Sequence, residues 1–123
     1  MPESIGKPLA RNDVLDKVTG QLKYPGDLNM PGQAYAKMLW SDHPHARIRI
    51  DTSAAETAPG VVAVFTGKDV PHSEFGLIFA DQPVFSFDIV RSVGDPVAMI
   101  VAETEELASR ARDLVTIAYD DLP

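Results

Sequence analysis

From Ala46 to Asp51 apolar and charged residues alternate: Ala46, Ile48 and Ile50 interleave with Arg47, Arg49 and Asp51. Successive side chains of an extended chain point to opposite faces, so this period of two predicts a strand with one dry and one wet face. Ile117 and Tyr119 alternate with Thr116, Ala118 and Asp120 in the same way. Residues 61–65 and 97–102 do not alternate and are continuously apolar. That is the pattern of a strand covered on both faces, and both are expected to be central. Residues 34–40 and 89–93 complete the predicted strands, with turns at Ser41-Asp42-His43-Pro44 and Gly94-Asp95-Pro96. A period of 3.6 appears once clearly, in Leu107, Ala108, Ala111, Leu114 and Val115. Thr104 stands where an N-cap belongs, Glu105 and Glu106 oppose the positive end of the helix dipole, and Glu106 faces Arg110 one turn on. A shorter helix is expected from Thr52 or Ser53 through Ala58, stopped by Pro59-Gly60. Residues 1–33 carry Pro8, Gly20, Pro25, Gly26, Pro31 and Gly32. They read as an irregular N-terminal segment with at most a short strand over 20–24. The order of elements predicts an α+β (mixed α/β) fold with a mixed sheet and two main helices over 34–123, the whole chain forming one domain. It is not the regular strand–helix alternation of a doubly wound sheet.

Composition narrows the function classes. A chain of 123 residues suits one domain, and 45% apolar with 24% charged residues is ordinary for a globular protein. A net charge of −7 argues against nucleic acid as a partner, because that affinity rests on Lys and Arg neutralising phosphates. Without cysteine the chain can form no disulfide, thiolate zinc site, protein-ligated iron–sulfur cluster or cysteine nucleophile. No apolar run approaches the roughly 18 residues of a membrane span. Met1-Pro2-Glu3-Ser4 lacks the features of a signal peptide, so a cytoplasmic location is expected.

Little in the chain points directly to chemistry. Phosphate-binding and dinucleotide-binding glycine patterns, a Gly-x-Ser-x-Gly elbow and a His-Glu-x-x-His pair are absent. His43 and His45 alternate around Pro44 and would point apart on an extended chain, with His72 distant, so a solvated turn is expected rather than a metal site. Asp120 and Asp121 are expected to be solvated. Asp13, Asp16 and Lys17 are expected to form a surface cluster with Arg11. No catalytic, cofactor-binding or metal-ligating residue is assigned. Residues 71–88 are the exception to this plainness. They hold Phe75, Phe79, Phe85 and Phe87, four of five phenylalanines, beside Leu77 and Ile78, with neither helical nor strand period. A long aperiodic loop this apolar either folds onto the domain's own core or forms an interface or channel wall completed by other polypeptide.

Several segments read together carry a resemblance. They are Arg11-x-Asp13-x-x-x-Lys17-x-x-Gly20-x-x-x-Tyr24-x-x-Asp27-Leu28; His45-Ala46-Arg47-Ile48 running into Ile50-Asp51-Thr52-Ser53-x-Ala55; and Pro59-Gly60-Val61-Val62-Ala63-Val64 closed by Thr66-Gly67-x-Asp69-Val70-Pro71. Val90-Arg91-x-Val93-Gly94-x-Pro96-Val97-Ala98, then Val101-Ala102-Glu103-Thr104 and finally Tyr119-Asp120-x-Leu122-Pro123, complete them. In this order and spacing they resemble the N-terminal α/β hammerhead domain of the molybdopterin-binding large subunit of the xanthine dehydrogenase, aldehyde oxidase and carbon monoxide dehydrogenase family. Two departures are visible. Asp95 stands where the family commonly has Gln or Glu, and His72, Ser73 and Glu74 where it usually has Gly and often Asn.

The resemblance implies a piece of a larger molybdenum hydroxylase, inactive alone. The parent oxidoreductase would hydroxylate a heterocycle or aldehyde with oxygen from water. Molybdopterin-bound molybdenum would be held several hundred residues further along the large subunit. Iron–sulfur clusters and a flavin (FAD) or another acceptor would sit in associated subunits or domains. Its partners would be the remainder of the large subunit and the iron–sulfur and flavin subunits, and the isolated fragment would be open to self-association. The same resemblance puts Leu77, Ile78 and Phe79 on the funnel that leads substrate to molybdenum. The alternative is a free-standing protein-interaction module that uses the aromatic loop 71–88.

Overall fold

The computed structural model describes residues 6–70 and 74–123. The chain divides into two compact units, Met1–Pro31 and Gly32–Pro123. In the first, a helix α1 (Val14–Val18) and a single 3₁₀ turn (Pro25–Asp27) stand where irregular chain is expected. The strand expected over 20–24 does not form, and Gly20 instead takes a positive φ of 72° after the helix. Local pairing accounts for α1. The Asp13 carboxylate receives the Lys17 ammonium at 2.6 Å, one turn on, and the Arg11 guanidinium at 2.9 Å. Those two cations, Lys17 foremost, hold the Asp13 carboxyl below the usual carboxylate range.

The second unit contains the sheets. Its elements are β1 (Tyr35–Trp40), β2 (Ala46–Asp51), α2 (Ser53–Glu56), β3 (Val61–Thr66), β4 (Glu74–Phe75), β5 (Gln82–Pro83), β6 (Ile89–Val90), β7 (Pro96–Ala102), α3 (Glu105–Arg112) and β8 (Thr116–Asp121). Instead of one mixed sheet there are two three-stranded sheets, β1-β7-β3 and β6-β2-β8, and a β4–β5 hairpin. Every pairing among the described residues is antiparallel. The α+β class stands. Helices lying between strands suggest a mixed sheet, but here those helices pack on a sheet built from antiparallel neighbours.

Strand β7 explains its own sequence. It lies between β1 and β3, and its two faces enter two different cores. Val97 packs with Ala46, Ile48 and Val90 of the second sheet. Ala98 and Ile100 pack with Ala111 of α3, with Leu39, Val64 and Val115 around them. Both faces need apolar residues, so alternation vanishes.

The other non-alternating run, 61–65, is not central. β3 is an edge strand, with Val62 at 62% relative exposure and Phe65 half-exposed. A register shift between Val61 and Ala63 breaks its pairing with β7, and such bulges are frequent at sheet edges. Only Val61 and Val64 reach the helix-side core.

The helix ends follow local chemistry. Thr104 accepts a hydrogen bond from the Leu107 N–H at 3.2 Å, as expected of an N-cap. At α2 the capping acceptor is Asp51, whose carboxylate takes the Ser53 N–H at 3.0 Å and its hydroxyl at 2.6 Å. The Thr52 hydroxyl, expected as a cap, donates to Glu56 instead. This helix is one turn long, and Gly60 follows with φ 74°, where an added Cβ would meet Leu107 Cδ1 at 2.5 Å. Strand β6 is two residues long rather than the five expected over 89–93. The Asp95 carboxylate takes the N–H groups of Arg91 and Ser92 at 2.7 and 3.2 Å and turns the chain out of the ladder.

Candidate functional site: an outward apolar hairpin

Four phenylalanines in one aperiodic stretch pose a packing question, and the fold divides them. β4 and β5 pair Glu74 with Pro83 and Phe75 with Gln82, enclosing residues 76–81. The turn needs Gly76, because any Cβ there would stand 1.8 Å from the Phe79 carbonyl oxygen. At the tip Leu77, Ile78 and Phe79 are 106%, 85% and 74% exposed, and Phe75 at the base is half-exposed. The returning chain then enters the core, with Phe85 5% and Ser86 0% exposed. The Ser86 N–H donates to the Pro96 carbonyl at 2.7 Å, which ties the loop to the start of β7. Gly67 lies against it closely enough that a Cβ would be 3.0 Å from Phe87 Cα and 3.1 Å from the Phe85 carbonyl. The hairpin is therefore anchored at its C-terminal root and apolar at its tip. The expectations that fall on Pro71, His72 and Ser73 lie outside the described residues.

A groove of about 620 Å³ opens beside the hairpin, walled by Met38 and Trp40 of β1 with Phe75, Val84 and Pro96. A second hollow of about 640 Å³ lies under the tip, lined by Phe75, Leu77, Ile78 and Phe79 among others. Polar groups on the first groove come from the 91–95 turn and from Asp81 and Gln82 of the hairpin. Burial acts to raise the Asp95 carboxyl, but the Ser92 hydroxyl, the N–H groups of Arg91 and Ser92 and the Arg91 charge together hold it below the usual carboxylate range. A carboxyl lowered in the folded state stabilises above its unfolded value, near 4, and that contribution disappears as pH falls through the folded value. Asp95→Asn is expected to lower the melting temperature at pH 7, by about 1 kcal/mol of stability for a partly exposed charged hydrogen-bond acceptor. The gap from the parent chain should close as the buffer is taken below pH 4. A constant gap from pH 7 to 3 in thermal melts would show that shape alone decides the position.

The other singled-out residues have ordinary structural roles. His43 stacks on Tyr119, ring centroids 3.9 Å apart and 10° from parallel. Its Nδ1 is 2.6 Å from the Asp121 carboxylate. Asp121, expected to be solvated, is exposed and also meets His43 at the surface. His45 Nδ1 contacts the Pro123 carbonyl at 2.8 Å, so the two rings serve the same strand end. No local pattern signals this, since 78 residues separate each pair of partners. Among the described residues no group of three or more His, Cys, Asp or Glu comes together as metal ligands. No described helix is long and apolar enough to cross a membrane.

Two small antiparallel sheets, a helix laid on one of them and an apolar hairpin held outward define an α+β domain. The chain belongs to the family described as "Aldehyde oxidase and xanthine dehydrogenase, a/b hammerhead domain", which it matches over residues 19–123. It is 49% identical over 121 residues to a probable xanthine dehydrogenase subunit of Bacillus subtilis (strain 168), covering 96% of this chain and 16% of that protein. It is 38% identical to the nicotinate dehydrogenase large molybdopterin subunit of Eubacterium barkeri, covering 96% and 28% respectively. Among solved structures it superposes on quinoline 2-oxidoreductase from Pseudomonas putida 86 with a TM-score of 0.87 at 32% identity, covering 98% of this chain and 17% of that one. For the Cu,Mo-CO dehydrogenase the TM-score is 0.89 at 33% identity, covering 96% and 16%. The chain thus spans under a third of the length of these relatives.

Proposed function

We propose that this chain is the hammerhead domain of the large subunit of a molybdenum hydroxylase. In this reading the parent oxidoreductase hydroxylates a heterocycle or aldehyde with oxygen from water. The hairpin tip of Leu77, Ile78 and Phe79 forms part of the wall along which substrate travels, and the domain is inactive alone. The observation that carries the proposal is the exposure of those three apolar side chains on an anchored hairpin. Large apolar groups held in water need cover in the working protein. A path for a flat, apolar heterocycle needs walls of this kind, with few polar groups to fix orientation. Relatives bearing the names xanthine dehydrogenase, nicotinate dehydrogenase and quinoline 2-oxidoreductase support the substrate class.

The described residues offer no donor set that fits molybdenum or an iron–sulfur cluster, so no step of the reaction is derived from them. When bound by the parent enzyme, the cofactor would supply the redox chemistry, and this domain would shape and dry the approach to it. Its partners would be the rest of the large subunit and the iron–sulfur and flavin-bearing subunits. A free-standing interaction module has less support, because the relatives carry this domain within polypeptides several times longer.

The test is steady-state kinetics of the assembled enzyme carrying Phe79→Ala, with molybdenum content measured in parallel. Losing a ring from the wall removes about 1.5–3 kcal/mol of apolar contact. A substrate that touches it should therefore show kcat/KM lowered roughly tenfold or more. Molybdenum content should be unchanged. Unaltered kcat/KM for every heterocycle and aldehyde tried would overturn the proposal.

A further inference from the structure

The N-terminal unit holds its shape without a core. Over residues 6–31 no residue is buried, and only Asp13 and Leu22 are half-buried. Its order is local. Ion pairs of Asp13 with Lys17 and Arg11 brace α1. The Asp16 carbonyl accepts the N–H groups of Gln21 and Leu22, both at 2.9 Å, and the Asp27 carboxylate accepts the Tyr24 N–H at 3.0 Å. The apolar residues of α1 are exposed, Val14 by 42%, Leu15 by 69% and Val18 by 76%. Spaced by one and then three residues, they share one face of the helix, and the charged Asp16 and Lys17 fall outside it. A helix of five residues is far shorter than the roughly 12–15 at which an isolated helix is even marginal in water. One turn with its whole apolar face uncovered needs a surface to sit on.

We infer that the α1 face of Val14, Leu15 and Val18 docks in cis, on an apolar groove of the same polypeptide outside residues 1–123. This rests on the reading of the chain as part of a longer large subunit, and not on the substrate path along the hairpin. Area and occurrence select this occupant. A stable interface between separate molecules takes about 800 Å² and roughly 20–30 residues on each side. Three side chains on one turn present a small part of that. Contact within one polypeptide avoids most of the association penalty, because the tether keeps the effective concentration of the two surfaces high. As to occurrence, the hammerhead match begins at residue 19, so α1 lies outside it. Yet the match to the Bacillus subtilis subunit takes in 96% of this chain, and the superposition on quinoline 2-oxidoreductase 98%, which omits too few residues to leave α1 out. This chain covers only 16% and 17% of those two proteins. The helix thus accompanies whole subunits, whose further polypeptide supplies the groove.

The test uses the assembled enzyme, shown to contain molybdenum and to turn over a substrate, so a negative result removes the docking and leaves the parent assignment standing. Leu15→p-benzoylphenylalanine, and Val18→p-benzoylphenylalanine in a second preparation, place a photo-crosslinker on the apolar face. After irradiation the product should keep the mass of one large subunit on a denaturing gel. Mass spectrometry should join the probe to that polypeptide beyond residue 123. Hydrogen exchange on the unsubstituted enzyme is a second readout that needs no variant. The Thr19, Gln21 and Leu22 amides, which bond back to α1, should exchange about tenfold or more slowly in the assembled enzyme than in the 123-residue chain. The inference is overturned by cross-links to residues 32–123, to another subunit or to a second copy of the large subunit, or by none at all. Exchange equally fast in both samples would overturn it by showing no cover, and equally slow exchange by showing that the 123 residues cover α1 themselves.

Discussion

Ile100→Asp should leave no cooperatively folded protein. Ile100 is fully buried on the central strand β7, within the cluster of Ala98 and Ala111. No cation lies in that cluster to pair with a new carboxylate. Burying an unpaired charge costs several kcal/mol, against a total stability of about 5–15 kcal/mol for a domain. The substitution also empties the space between β7 and α3. Val62→Lys, on the exposed face of edge strand β3, should by contrast change stability by less than about 0.5 kcal/mol. Circular dichroism melts of the two variants check the pair. A cooperative transition in Ile100→Asp near that of the parent chain would remove β7 from the centre of the fold.

Phe85→Ala should cost about 3–5 kcal/mol, the range for a buried aromatic ring that leaves a cavity. Phe85 is 5% exposed and precedes Ser86, whose N–H is tied to Pro96. Losing that ring should loosen the root of the hairpin as well as the core. Phe79→Ala in the isolated 123-residue chain should shift stability by less than about 0.5 kcal/mol, since 74% of the residue is already in water. Urea unfolding of both variants separates the rings by role. Equal losses would mean that the tip folds onto the domain's own core and leaves no wall for a substrate.

Much of this fold is legible in periodicity. β2 and β8 alternate because one face of their sheet packs on Val97 of β7 and the other meets water. The N-cap at Thr104 and the Glu106–Arg110 pair lie within one helical turn, so local spacing specifies them. What is not legible depends on distant or competing partners. A continuous apolar run does not reveal which face stays open, so 61–65 reads like 97–102 although only β7 has a strand on each side. The apolar pattern carries β6 as far as Val93, but the Asp95 carboxylate outcompetes the ladder for two backbone N–H groups. The pairing of His43 with Asp121 joins opposite ends of the unit and leaves no local pattern.

The hairpin is legible as an anomaly, not as a shape. Apolar content without period marks residues 71–88, while the division between buried Phe85 and exposed Leu77, Ile78 and Phe79 depends on the Gly76 turn and the Ser86–Pro96 hydrogen bond.

The most direct measurement is the structure of the assembled enzyme with a heterocyclic substrate analogue bound. The Phe79 ring, with Leu77 or Ile78 beside it, should border the passage to the molybdenum and lie within about 4–4.5 Å of the analogue or of its approach. A structure in which all three side chains are buried against another polypeptide, with the passage elsewhere, would contradict a substrate path along the hairpin.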